Sequence, residues 1–325
     1  MPKLIALKSG SHELLPDAWN SDFSGLKQQA LLFDQIGIYK LENFYKTLEE
    51  SIPLWKKLTP DISDKPESII TELKWLQQAG IIFEITIQEE FEFLKTDHFA
   101  QKSAGQKFEN AKNLLSKVIE IQTFDLKNVK SEAHKIDLIK EQHFTILRLM
   151  SIVMEEAKGI TAVTTFSEAE YGRELPSSNK SDIAKIVISK LPLPSNETPW
   201  EQIIDYRNDE DNQRNLINLR RWIRKISTEN LSLVEIEEEL EWLLNEFQSY
   251  MKLHQLKSNT ETLEVMVKII PETIENLVKL KFSKLPEPLF ALKKRQINLM
   301  EAELNAPGRE ISYIIKANDN FQSNE

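Results

Sequence analysis

The chain has 325 residues, 41% hydrophobic and 28% charged, with a formal net charge of −10 and no cysteine. That composition is globular, and a chain of this length needs no disulfide or structural metal to bury a core. The lack of cysteine removes thiolate nucleophiles, cysteine-ligated zinc and iron–sulfur clusters, and the acidic balance disfavours indiscriminate binding to nucleic acid or anionic membrane.

The amino-terminal apolar run Leu4 to Leu7, between Lys3 and Lys8, is too short for a secretory signal and reads as a short strand. No window approaches the length of a membrane span, so a cytoplasmic location is expected. Ala30 to Tyr39 (ALLFDQIGIY) is an apolar run expected to form one strand that closes near Asp34. Glu72 to Gly80 has a helical pattern that stops at a glycine, and Gly80 to Ile87 (GIIFEITI) then reads as a strand. The same grammar recurs where Leu147 to Gly159 meets Ile160 to Phe166 (ITAVTTF). Glycine closes a helix in the left-handed region without a Cβ clash, and helix–glycine–strand junctions belong to αβ units, so part of the sheet should be parallel. Ile183 to Leu191 (IAKIVISKL) and, more weakly, Glu310 to Ala317 (EISYIIKA) also read as strands.

Beyond Pro192 the pattern is mostly helical. Thr198-Pro199-Trp200-Glu201 has the form of a capping box with proline at the first helical position, and Ser232 with Glu235 repeats the box. Ser258 and Glu261 suggest a third, opening a helix near Thr260 that Pro271 would end or kink. Leu216, Leu219, Ile223 and Ile226 form one apolar face, and Ile236, Leu240, Leu243, Leu244 and Phe247 form another. The expected fold is therefore α/β or α+β and helix-dominated. A small mixed or partly parallel sheet lies in residues 1–191 and a mainly helical part in residues 192–325, as two parts or as one continuous domain.

No phosphate-cradling glycine loop, serine elbow or zinc helix is present, and five histidines (His12, His98, His134, His143, His254) are scattered without metal-ligand spacing. Neither a cofactor nor a metal is expected, and whether the chain is an enzyme is left open. His134, Asp137 and Glu141 share a helical stripe but lack a further ligand. His143 reads as a core histidine. Asp34, at the end of its apolar run, is a candidate cation ligand or base, because ligands bind outside the carboxyl ends of strands; it could equally cap a turn. Glu84, inside its strand, is a weaker candidate. Arg148, in an apolar helix face, either snorkels, pairs with a carboxylate such as Glu141, or recognises an anion. Arg207, Arg214 and Arg221 are seven apart and would share a stripe of one continuous helix, as an arginine-lined anion site or as ion-paired lacing of two helices.

Charge is segregated. Glu229 to Glu241 holds six glutamates, Arg214 to Lys225 five basic residues, and Val278 to Arg295 six. This suits either paired helical faces or a docking surface. The segments ALLFDQIGI, ILRLMSIVMEE, IVISKLPLP and WEQIIDYRND…LRRWI together resemble a family of bacterial proteins of unknown function. The resemblance implies a bacterial cytosolic protein of the accessory or defence type and supplies no catalytic residue. Two functions of different class follow as expectations. One is a non-enzymatic interaction protein with a protein partner or self-association. The other is an enzyme or sensor that takes an anionic small molecule near Asp34 and Arg148. Nucleic-acid binding through Arg214 to Lys225 and Lys279 to Arg295 is a third.

Overall fold

The structure, a computed structural model, describes residues 3–10, 22–58, 65–86, 112–114, 116, 131–165, 179–269, 298–299 and 301–321. His12, His98, Pro271 and the basic segment Val278 to Arg295 lie outside them. The chain divides into two compact units, Met1–Asn208 with Phe321–Glu325, and Asp209–Asn320.

The first unit is built on four parallel strands, β1 (Leu4–Ser9), β2 (Gln35–Tyr39), β3 (Ile82–Ile85) and β4 (Thr161–Thr164), in the order β3-β2-β1-β4. Ile5 pairs with Gln35 and Ala162, and Ser9 pairs with Tyr39. Among the described residues this unit includes the helices α1 (Ser24–Leu32), α2 (Leu41–Leu58), α3 (Lys65–Gln78), α4 (Glu132–Lys158), α5 (Asn179–Lys190) and α6 (Trp200–Asn208). Every residue of β1 is buried, as a central parallel strand covered on both faces requires. Ile5 and Leu7 pack with Phe144, Leu147, Met150 and Met154 of α4. The alternate residues Leu4 and Ala6 are equally enclosed, and α1 and α5 pack against β2 and β4. The Ser151 hydroxyl donates to the Ala162 carbonyl, tying α4 to the strand that follows it.

Both helix–glycine–strand junctions form, with φ of 73° at Gly80 and 63° at Gly159. The Gly159 N–H donates to the Glu155 carbonyl at 3.2 Å and the Ile160 N–H to the Met154 carbonyl at 3.1 Å, which closes α4. Three expected strands are corrected. Ala30 to Tyr39 is two elements: α1 runs to Leu32, Phe33 is extended, and β2 starts only at Gln35. Ile183 to Leu191 is helical, because Ile183, Ala184 and Val187 are fully buried at helical spacing and a short apolar run does not distinguish a buried helix from a strand. Glu310 to Ala317 is a 3-10 turn, Arg309–Ile311, leading into helix.

The second unit contains α7 (Glu210–Ile226), α8 (Leu233–Ile269), that 3-10 turn and most of α9 (Ser312–Phe321). The expected face of α7 is buried at Leu216, Leu219, Ile223 and Ile226, and that of α8 at Ile236, Leu240, Leu243 and Phe247, with Leu244 only partly covered. The Ser232–Glu235 box forms reciprocally. The Glu235 carboxylate accepts the Ser232 N–H at 2.7 Å, and the Ser232 hydroxyl accepts the Glu235 N–H at 3.3 Å. The third box does not form, since α8 runs unbroken through Ser258 and Glu261. The first opens differently from expectation. Pro199 supplies the first carbonyl of α6, and the Thr198 hydroxyl lies 3.2 Å from that of Ser195. Among the described residues no helix is long and apolar enough to cross a membrane.

Candidate functional site at the carboxyl edge of the sheet

In a chain that lays β2 and β3 to one side of β1 and β4 to the other, strand order reverses between β1 and β4. Open parallel sheets bind ligands at such a point, outside the carboxyl ends of the strands. That edge carries Lys8 and Ser9 from β1, Tyr39 of β2 with Lys40 after it, and Thr164 of β4 with Thr165 after it.

Successive side chains of β1 alternate between faces, so Ser9 shares the α4 face with Ile5 and Leu7. There its hydroxyl lies 3.1 Å from Nδ1 of His143, which is 2% exposed. The Tyr39 ring meets the imidazole edge-on at 5.0 Å. Gly10 follows Ser9 where space is short: a Cβ there would sit 3.0 Å from the carbonyl oxygens of both Tyr39 and Lys40, which would have to give way. Among the described residues Lys40 is the one non-glycine residue with positive φ, at 62°, a conformation that is uncommon without glycine. Its carbonyl accepts the Phe44 N–H at 3.0 Å, so it caps α2 immediately beyond the strand.

Two lysines serve this edge. Lys8 is 6% exposed. Burial lowers the Lys40 ammonium below the usual lysine range, and the group lies 5.4 Å from the Tyr39 ring. It has no carboxylate partner among the described residues. Lys27 on α1, whose pKa is likewise lowered by burial, is occupied differently: its ammonium donates to the Asn196 carbonyl at 2.7 Å and lies over Trp200. Glu84 on β3 accepts the Glu42 N–H at 3.4 Å, placing a carboxylate on the first turn of α2.

The residues singled out from the sequence do not gather here. Asp34 precedes β2 and stands at the amino edge, about 16 Å from Ser9 along the strands. Its carboxylate accepts the Leu4 N–H at 2.8 Å and its own N–H donates to the Leu4 carbonyl at 2.8 Å. The expectation of a carboxylate beyond a strand's carboxyl end is therefore overturned. Arg207 on α6 joins Asp34, donating to its main-chain carbonyl at 3.4 Å. Arg148 is 4% exposed, five residues beyond His143 and about 7.5 Å along α4, which excludes a head group snorkelling into water. Of the two arrangements expected for the arginines, two successive helices form and not one continuous stripe. Asp209 caps a new helix, its side chain accepting the Asn212 N–H at 2.9 Å, so Arg207 lies on α6 while Arg214 and Arg221 lie on α7. Arg214 pairs with Asp211, and Arg221 is exposed. Among the described residues no three potential metal ligands converge.

Ser9, Gly10, Lys40 and His143 were the residues that sequence reasoning passed over as a site. The available signal was Lys8-Ser9-Gly10, a short apolar strand ending in a small hydroxyl and a glycine. Comparison with family models, with curated proteins and with solved structures finds no match for this chain.

Proposed function

We propose that the α/β unit binds a small anionic molecule at the carboxyl edge of its sheet. The observation that supports this most strongly is Lys40, a partly buried cation in a left-handed conformation, with no carboxylate partner among the described residues. A desolvated ammonium gains most from an incoming anion, and unusual backbone conformations gather at ligand sites. The buried Ser9–His143–Tyr39 cluster fixes the strand ends that carry it. The direct test is titration with inorganic phosphate, citrate and adenosine monophosphate, read by calorimetry. Saturable binding of at least one is expected, lost in Lys40→Met and kept in Lys40→Arg. Binding should weaken as pH rises through the lowered Lys40 pKa, where the ammonium loses its charge, and should stay level over that range in Lys40→Arg. No saturable response to any of the three, or an undiminished one in Lys40→Met, refutes the reading.

A second reading, an interaction protein, is favoured by α8. Val234, Trp242 and Leu253 are 66%, 53% and 50% exposed among glutamates of the same helix. Solvent-facing tryptophans are enriched in protein interfaces. Sedimentation over a concentration series, with affinity capture from the host, tests this. A lone monomer that recovers no partner, or capture unchanged in Trp242→Ser, removes it.

A further inference from the structure

We infer that the helical unit holds a separate binding site, a pocket of about 410 Å³ suited to a small organic monoanion with an apolar body. The volume lies in the range of small-molecule sites, roughly 300–1,000 Å³.

One wall is a stripe of α7. Asp211, Arg214, Asn215 and Asn218 recur at i, i+3, i+4 and i+7, the spacing of a single helical face. The same pocket is lined by Arg309 of the 3-10 turn and by Ser312, which opens α9. The charges can be matched one by one. Arg214 pairs with Asp211, and the Lys316 ammonium lies 2.5 Å from the Glu303 carboxylate. Arg309 gives one N–H to the Leu304 carbonyl at 2.7 Å and has no carboxylate partner among the described residues. The lining therefore holds one unmatched positive charge, and that charge is accessible.

Ser312 is the second, independent pointer. It is 1% exposed, lines the pocket, and its hydroxyl has no hydrogen-bond partner among the described residues. Buried hydroxyls are normally paired, and this one stands in the first turns of a helix, where the helix dipole favours negative charge. A carboxylate or sulfonate between Arg309 and Ser312 would satisfy both. Met251 and the half-exposed Leu304 supply the apolar surface for the remainder of the ligand.

The probe is anilinonaphthalene sulfonate, an apolar monoanion, titrated into the full chain by fluorescence. Saturable binding is expected, displaced by octanoate and not by neutral octanamide. Arg309→Gln should weaken it about tenfold, the worth of one charge-assisted hydrogen bond. Ser312→Ala should weaken it to a lesser degree. Leu304→Trp, which fills the pocket from an exposed position, should abolish binding while circular dichroism stays unchanged. The site is overturned if binding never saturates, if octanamide displaces the probe as well as octanoate does, or if Arg309→Gln and Leu304→Trp both bind as the parent chain does.

Discussion

Replacing Gly308 with alanine tests the packing of the helical unit most severely. Gly308 has φ of 71°, and a Cβ built on it would lie 2.6 Å from the Leu243 carbonyl oxygen and 3.2 Å from the carbonyl carbon. Holding an L-residue in the left-handed region costs about 1–2 kcal/mol. The clash adds to this, because its partner is backbone in the middle of α8 and cannot rotate aside; overpacking of this kind costs about 1–3 kcal/mol. The expected loss is the sum, about 2–5 kcal/mol. Gly80 and Gly159 are the controls. They share the positive φ but have nothing within 4 Å of the added carbon, so alanine there should cost only the conformational part. Two compact units need not unfold together, so the helical unit is best followed by hydrogen exchange at the amides of α7 and α8. Gly80→Ala and Gly159→Ala are read by exchange in β2 and α4. If Gly308→Ala costs no more than Gly159→Ala, the close approach to α8 does not dictate the glycine and the reasoning fails.

Asp34→Ala should destabilise the α/β unit by about 1–3 kcal/mol, since it strands the buried Leu4 N–H, while Asp34→Asn keeps an acceptor and should cost less. Equal losses in urea titrations would show that the bond to Leu4 is not what Asp34 contributes. Ser9→Ala removes the hydroxyl from a buried imidazole and should also cost about 1–3 kcal/mol; a change below about 0.5 kcal/mol would deny the pair a structural role. The hydrogen bonds from Ser232, backbone first and side chain second, hold the Glu235 carboxyl below its usual pKa. A depressed carboxyl pKa contributes stability that is present above the unfolded value and lost as pH falls through the folded one. Carboxyl NMR titration of Ser232→Ala should move Glu235 upward, and an unchanged midpoint would contradict the capping geometry.

Much of this protein was legible locally. The junctions at Gly80 and Gly159 and the Ser232–Glu235 box rest on contacts within a few residues, and the buried faces of α7 and α8 follow from helical spacing. Physics acting at that range leaves its mark in neighbouring residues, and strands β1, β3 and β4 were readable for the same reason. Only the tertiary structure decided the rest. IAKIVISKL is helix because its apolar residues meet other elements along one face, a fact set by those elements and not by the segment. Asp34 lies at the amino edge because α1 persists to Leu32 and delays β2. Both proposed sites are of the same kind. Ser9 and His143 meet across 134 residues, and the pocket of the helical unit is lined by Arg214 together with Arg309 and Ser312. Such meetings depend on how helices and strands pack, and sequence spacing carries no record of them.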